Sequence, residues 1–281
     1  MKAEDVNDRG SSKEEQERNF HFLSQAGSGM DVTVRDDHYE FSWLLDAVHS
    51  CRKKNGRFRL IDSGKTEGLQ LEWLLEAGAD LFTSSNAVRE EEELVRFATA
   101  CRKGRAVLAY FHQEAVLQSE KKNDVDRIDL MKLGRCGIYI HLSDKEAKND
   151  PAELEKTAFS CRKGGSWLVY YHRGVLEKSL GSLTENGAWI HILSDRIQNE
   201  EHVMLVKDIT AAARSMGSNM IIHSDGPAEW NILEDLIEEK VVFIPKTRCF
   251  DYKSPYKFLE KVIARTRLPF QSYYLYPDIM L

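Results

Sequence analysis

The sequence predicts an α/β protein: a single (β/α)8 TIM-type barrel with a fourfold internal repeat. Three observations predict it. Apolar strand-like runs and helix-like stretches alternate beyond Glu40 with little interruption, and the runs number eight. The runs are continuously apolar, as strands buried on both faces of a parallel sheet must be. A Cys-Arg-Lys triplet also closes one helix-like segment after another: SCRKKNGRFRLID at 50–62, ACRKGRAVLAYFH at 100–112 and SCRKGGSWLVYYH at 160–172.

The elements follow in order. Residues 1–19, MKAEDVNDRGSSKEEQERN, are charged and poor in core-forming side chains, so they are expected to be a disordered leader before a domain spanning 20–281. HYEFSWLLDAVHSCRK is a helix placed before the first strand, RFRLID (57–62). A short helix, LEWLLEAG, leads to ADLFTSS (79–85). The long helix VREEEELVRFATACRK leads to AVLAYFH (106–112), and the short DLMKLGRC leads to GIYIHLS (137–143). PAELEKTAFSCRK carries its own start signal, with Asp150 as N-cap, Pro151 at the first helical position and acidic residues in the first turn. It leads to SWLVYYH (166–172), and a short SLTENG leads to AWIHILS (188–194).

The fourth long helix, EEHVMLVKDITAAARS, has lost the triplet but still precedes a strand, NMIIHS (219–224). LEDLIEEK then leads to VVFIPK (241–246), and SPYKFLEKVIARTR closes the series, with Ser254 as cap and Pro255 at the first position. The unit is long helix, strand, short helix, strand, written four times. Eight strands is the number that closes a barrel, whereas an open doubly wound sheet gives no reason for a fourfold repeat.

Composition excludes several classes. Over 281 residues the net charge is −6, the wrong sign for a general nucleic-acid binder. No apolar run approaches the roughly 20 residues that span a bilayer. The N-terminus lacks the apolar segment of a secretory signal. The 5 cysteines are odd in number, widely spaced and free of CxxC, which suits free thiols in a reducing cytoplasm. Cys51, Cys101 and Cys161 share one repeated position and are expected to be small buried contacts between helix and sheet. There is no Gly-rich phosphate loop, GxSxG or HExxH.

In a barrel the chemistry belongs at the C-terminal ends of the strands. Asp62, His112 and His172 each lie 11 residues after a triplet cysteine, and His223 matches them through its IIH. Side chains on alternate strands share a layer, so Asp62, His112, His172 and His223 are expected to hold a divalent transition metal, Zn, Fe or Mn. That expectation depends on register. If it is off by one, Phe111 and Tyr171 take the inner positions and the histidines face the helices.

His141 and His191, on intervening strands, are the candidates for acid–base catalysis. Lys65, Arg173 and Lys246 stand at strand ends and suit an anionic substrate, a phosphate or a carboxylate. The expected activity is therefore a metal-dependent hydrolase or phosphoesterase acting on a small anionic molecule, in the cytoplasm, without nucleic-acid or membrane partners and with self-association left open. The alternative is a non-catalytic barrel with a polar, His-rich mouth that serves binding or scaffolding.

Overall fold

Strand pairing and strand order decide the fold class. A computed structural model describes residues 13–114, 116, 128–144, 149–224, 236 and 241–245. The chain divides into two units, one of residues 1–88 and 96–108, the other of 89–95 and 109–281.

The first unit opens with α1 (Lys13–Gly27), β1 (Val32–Arg35), α2 (Phe41–Lys53), β2 (Phe58–Ile61), α3 (Gly68–Ala77) and β3 (Asp80–Ser84). β1 pairs with β2 in parallel, Val34 opposite Leu60, and β2 pairs with β3, Leu60 opposite Leu81. Two elements here differ from the expected ones. α1 begins inside the segment read as a disordered leader, and it buries Phe22 and Ala26. The Phe22 ring stacks on Tyr39 at 4.0 Å and meets Phe58 edge-on at 6.0 Å. β1 is a strand that the sequence pattern does not reveal. VTVR is only four residues long and buries only Val32, too little for a period to register.

α4 (Glu91–Gly104) is shared between the units. The second unit continues with β4 (Leu108–Phe111), α5 (Leu130–Arg135), β5 (Tyr139–Ser143), α6 (Pro151–Gly164), β6 (Leu168–Tyr171), α7 (Ser179–Glu185), β7 (Trp189–Leu193), α8 (Glu200–Ser215), β8 (Met220–Ser224) and β9 (Val242–Pro245). Each strand from β4 to β8 pairs in parallel with the next in the chain, ending at β9. The class is thus α/β, with parallel strands in sequential order alternating with helices, the connectivity of a (β/α)8 chain. The eight expected strands are β2 to β9. Asp150 caps α6 as expected, accepting from the N–H groups of Ala152 at 2.8 Å and Glu153 at 3.3 Å. Lys246, Cys249, the short helix before β9 and the final helix with Ser254 and Pro255 lie outside the described residues.

The Cys-Arg-Lys triplets have a packing role. Cys51, Cys101 and Cys161 are 0%, 3% and 0% exposed, and burial pushes the Cys161 thiol up to about 12. The arginines lie over the glycines that follow the next short helix. A Cβ on Gly78 would sit 2.7 Å from the Arg52 Nε, and one on Gly187 would sit 3.0 Å from the Arg162 Cδ. In two triplets a glycine follows the lysine, and there the backbone presses on the preceding short helix. A Cβ on Gly104 would come 1.9 Å from the Leu75 carbonyl oxygen, and one on Gly164 would come 2.1 Å from that of Gly134.

Candidate functional site

Side chains of a strand alternate between its two faces, and register then fixes which neighbours meet. Phe111 is opposite His141, and Tyr171 is opposite His191. His141 is opposite Val169, and His191 is opposite Ile221. Tyr171 and His223 stand two residues beyond those partners, so they share the face of His141 and His191. The result is one ladder across β4 to β8. Successive ring centroids are 4.2 Å apart for Phe111 and His141, 5.9 Å for His141 and Tyr171, 4.6 Å for Tyr171 and His191, and 5.0 Å for His191 and His223. Trp167, Trp189, Ile221 and Val242 form an apolar layer on the same face, nearer the strand starts.

Two side-chain hydrogen bonds tie the ladder together. His141 Nδ1 lies 3.1 Å from the Tyr171 hydroxyl, and His191 Nδ1 lies 2.7 Å from His223 Nε2. All of these side chains are buried. Burial takes the His141 imidazole down to about 3 and raises the Tyr171 phenol. His191 is lowered well below its usual value, by burial first and then by the neighbouring His223 and His141. His141 and His191 are therefore neutral at pH 7. The His141 Nε2 is buried and makes no hydrogen bond among the described residues.

His112 and His172 follow the alternation to the opposite face. Tyr110 and His112 lie together there with centroids 6.1 Å apart, and Tyr170 and His172 at 6.0 Å. His172 Nδ1 sits 2.7 Å from the Asp144 carboxylate, and its Nε2 donates to the Val175 carbonyl oxygen at 2.9 Å. Burial alone would lower His172, but Asp144 and the Val175 carbonyl outweigh it and raise the imidazole. Burial alone would raise Asp144, but His172 and the N–H groups of Arg173 and Gly174 outweigh it and lower the carboxyl. These contacts favour the protonated ring, with Nδ1 in ion-pair contact with Asp144 and Nε2 on the Val175 carbonyl.

The structure thus brings together His141, His191 and His223, and it sets His172 apart from them. The expected metal set does not meet at one ion, because His112 and His172 stand on the strand face opposite His223. The physical reason is register: Phe111 and Tyr171, not His112 and His172, stand on the face of His223. Asp62, in the first unit, accepts from Gly64 N at 2.9 Å and from the Thr83 hydroxyl at 2.7 Å. Among the described residues no group of three or more His, Cys, Asp or Glu side chains is arranged to hold a metal.

Lys65 is exposed and pairs with Asp37 at 2.8 Å, a contact that leads in holding the Asp37 carboxyl below its usual range. Arg173 lines a pocket of about 620 Å³ at the ends of β5 and β6, on the face of His172. Lys246 lies outside the described residues. Sequence reasoning named Tyr171 only as an inner residue of the alternative register, and it gave Asp144 no role. The doubled tyrosine of YYH was a signal for the first, since one of two adjacent strand residues must face the ladder.

No family model and no curated protein matches the sequence. Among solved structures, a citrate synthase, SbnG, is similar over 87% of this chain and 96% of its own, with 10% identity and a TM-score of 0.34. An HpcH/HpaI aldolase from Desulfitobacterium hafniense DCB-2 is similar over 89% of each chain, with 11% identity and a TM-score of 0.31. A tetrameric deoxyribose phosphate aldolase from Aeropyrum pernix covers 76% of this chain and 84% of its own, with 10% identity and a TM-score of 0.29. At such low scores and identities these likenesses assign neither an activity nor a ligand to this chain.

Proposed function

We propose that the chain is an enzyme that performs acid–base chemistry on a small anionic molecule, with hydrolysis the reaction the residues suit, at the ladder of His141, Tyr171, His191 and His223. One observation carries this reading: three imidazoles and a phenol gather on neighbouring parallel strands, close to the ends where such folds keep their chemistry. Burying polar groups costs stability unless they are paired, and apolar side chains of similar size would fill the space without that cost. The described pairing leaves the His141 Nε2 over, a hydrogen-bonding group suited to a substrate atom.

Neutrality suits these residues to bond without carrying charge. The His191–His223 contact holds one N–H and one lone pair between two rings. A proton taken up by one ring can therefore be matched by release from the other. The anionic character of the substrate is the expectation from sequence alone, since Arg173 lines the pocket on the face opposite the ladder and Lys246 lies outside the described residues. The metal expected from sequence has no part in these steps.

The test pairs His191→Leu with His223→Leu, so that neither partner is left unsatisfied. Full-length wild type is assayed on aryl phosphate and aryl carboxylate esters. Turnover should be nearly constant from pH 5 to 8, since His141 and His191 stay neutral, and should fall by about a hundredfold or more in the paired variant. Folding should survive the change. Absence of turnover on the whole series, or turnover indifferent to the paired change, favours the non-catalytic barrel instead.

A further inference from the structure

The pocket beside His172 is a second candidate site, on the opposite strand face from the ladder. It lies between β6 and the helices α6 and α7, and Leu154, Leu180 and Leu183 give it an apolar floor, each buried. Val175, 68% exposed, adds apolar surface at the rim. Arg173 and Arg196 line the same pocket.

Neither guanidinium is well used. Arg173 is fixed by its backbone, whose N–H donates to Asp144 Oδ1 at 2.6 Å, and its side chain makes no hydrogen bond or ion pair among the described residues. Arg196 has only a 3.5 Å contact with its neighbour Asp195, and its buried Nε makes no hydrogen bond there. A buried donor such as the Arg196 Nε is seldom left idle in a folded protein. The acidic groups of the pocket are Asp144 and Glu177, and Asp144 is committed to His172 and the Arg173 N–H. The loop is also built closely: a Cβ on Gly174 would stand 2.8 Å from the His172 Cε1. The His172–Asp144 pair thereby holds the segment that presents Arg173.

We propose that this pocket binds an amphipathic anion, a carboxylate or phosphate monoester whose charged head meets Arg173 and Arg196 and whose apolar body lies on Leu154, Leu180 and Leu183. The volume falls in the range of small-molecule sites, which are mostly apolar with a few placed polar groups. A planar guanidinium pair matches the oxygens of either head. This inference does not depend on the ladder being catalytic.

The experiment is calorimetric titration of the full chain with octanoate, phenyl phosphate, acetate and inorganic phosphate. Octanoate or phenyl phosphate should bind saturably at one site, at least about tenfold tighter than acetate or phosphate. Preference between the two long probes assigns the head group. Arg173→Gln and Arg196→Gln should each weaken the binding by about ten- to a hundredfold, and Arg196→Lys should fall between wild type and Arg196→Gln. The paired His191 and His223 change should leave it unaltered, which separates this result from the fate of the proposed activity. No saturable binding overturns the proposal, as does equal affinity for short and long anions, or affinity indifferent to both arginines.

Discussion

His172 and His191 show how one side-chain type acquires opposite charge states from its neighbours. His191 is enclosed by rings, including another imidazole, and stays neutral, whereas His172 sits against a carboxylate and a carbonyl and holds its proton. The stability that His172 gains from Asp144 is fully present below its unfolded value near 6.5, because its folded pKa is raised, and is lost as pH rises through that folded value. Urea unfolding of Asp144→Asn at pH 6 should show a loss of about 1.5–3 kcal/mol, the worth of a hydrogen bond to a charged group. The deficit should shrink at alkaline pH, where wild type loses the same interaction. A deficit that does not change with pH would mean that the two side chains are not an ion pair. The sequence spacing placed Asp62, His112, His172 and His223 at or beside the C-terminal ends of their strands. It could not say which way Phe111 or His112, Tyr171 or His172 points, because apolar residues line both faces and erase the period-2 signal.

At the scale of elements, the alternation of long and short helices was legible, and so was the recurring triplet, but not what the triplet does. Its glycine marks a backbone contact that only the folded chain reveals, with Gly164 against the end of α5 and Gly104 against the end of α3. Gly164→Ala should destabilise by about 1–3 kcal/mol or more, since the added methyl meets backbone rather than a side chain that can turn aside. Gly181, inside α7 with nothing within 4 Å of a built Cβ, is the contrast. Gly181→Ala should stabilise by about 0.4–1 kcal/mol through the unfolded chain. Thermal midpoints of the two variants should move in opposite directions. Similar shifts for both would show that the α5–α6 contact is looser than described. α1 was hidden for another reason: its apolar content is concentrated at one end, so the charged residues before it read as leader.

For the molecule as a whole, the parallel order could be read because helix and strand signals alternate, and an acid limb of stability follows from what the ladder buries. Both His141 and His191 have folded pKa values depressed from 6.5, His141 to about 3. Their contribution is therefore present above the unfolded value and is lost as pH falls below it, since the unfolded chain takes up protons that the folded chain refuses. His172, raised from 6.5, opposes that slope only near the top of the range, and the carboxyls of Asp144, Asp37 and Glu91, lowered from 3.8, 3.8 and 4.5, enter only near its bottom. Between about pH 4 and 6.5 the buried imidazoles should thus dominate the slope. Each proton is worth about 1.4 kcal/mol per pH unit, so two give about 2.7 kcal/mol per unit at the steepest. Denaturant unfolding followed by tryptophan emission, with Trp167 and Trp189 on the ladder face as reporters, measures that slope directly. His141→Phe should lower stability at pH 7 by losing the bond to Tyr171, yet halve the slope across the window, so that the variant and wild type converge as pH falls. A slope untouched by that change would mean that His141 titrates in the folded protein, and that the ladder is open to water.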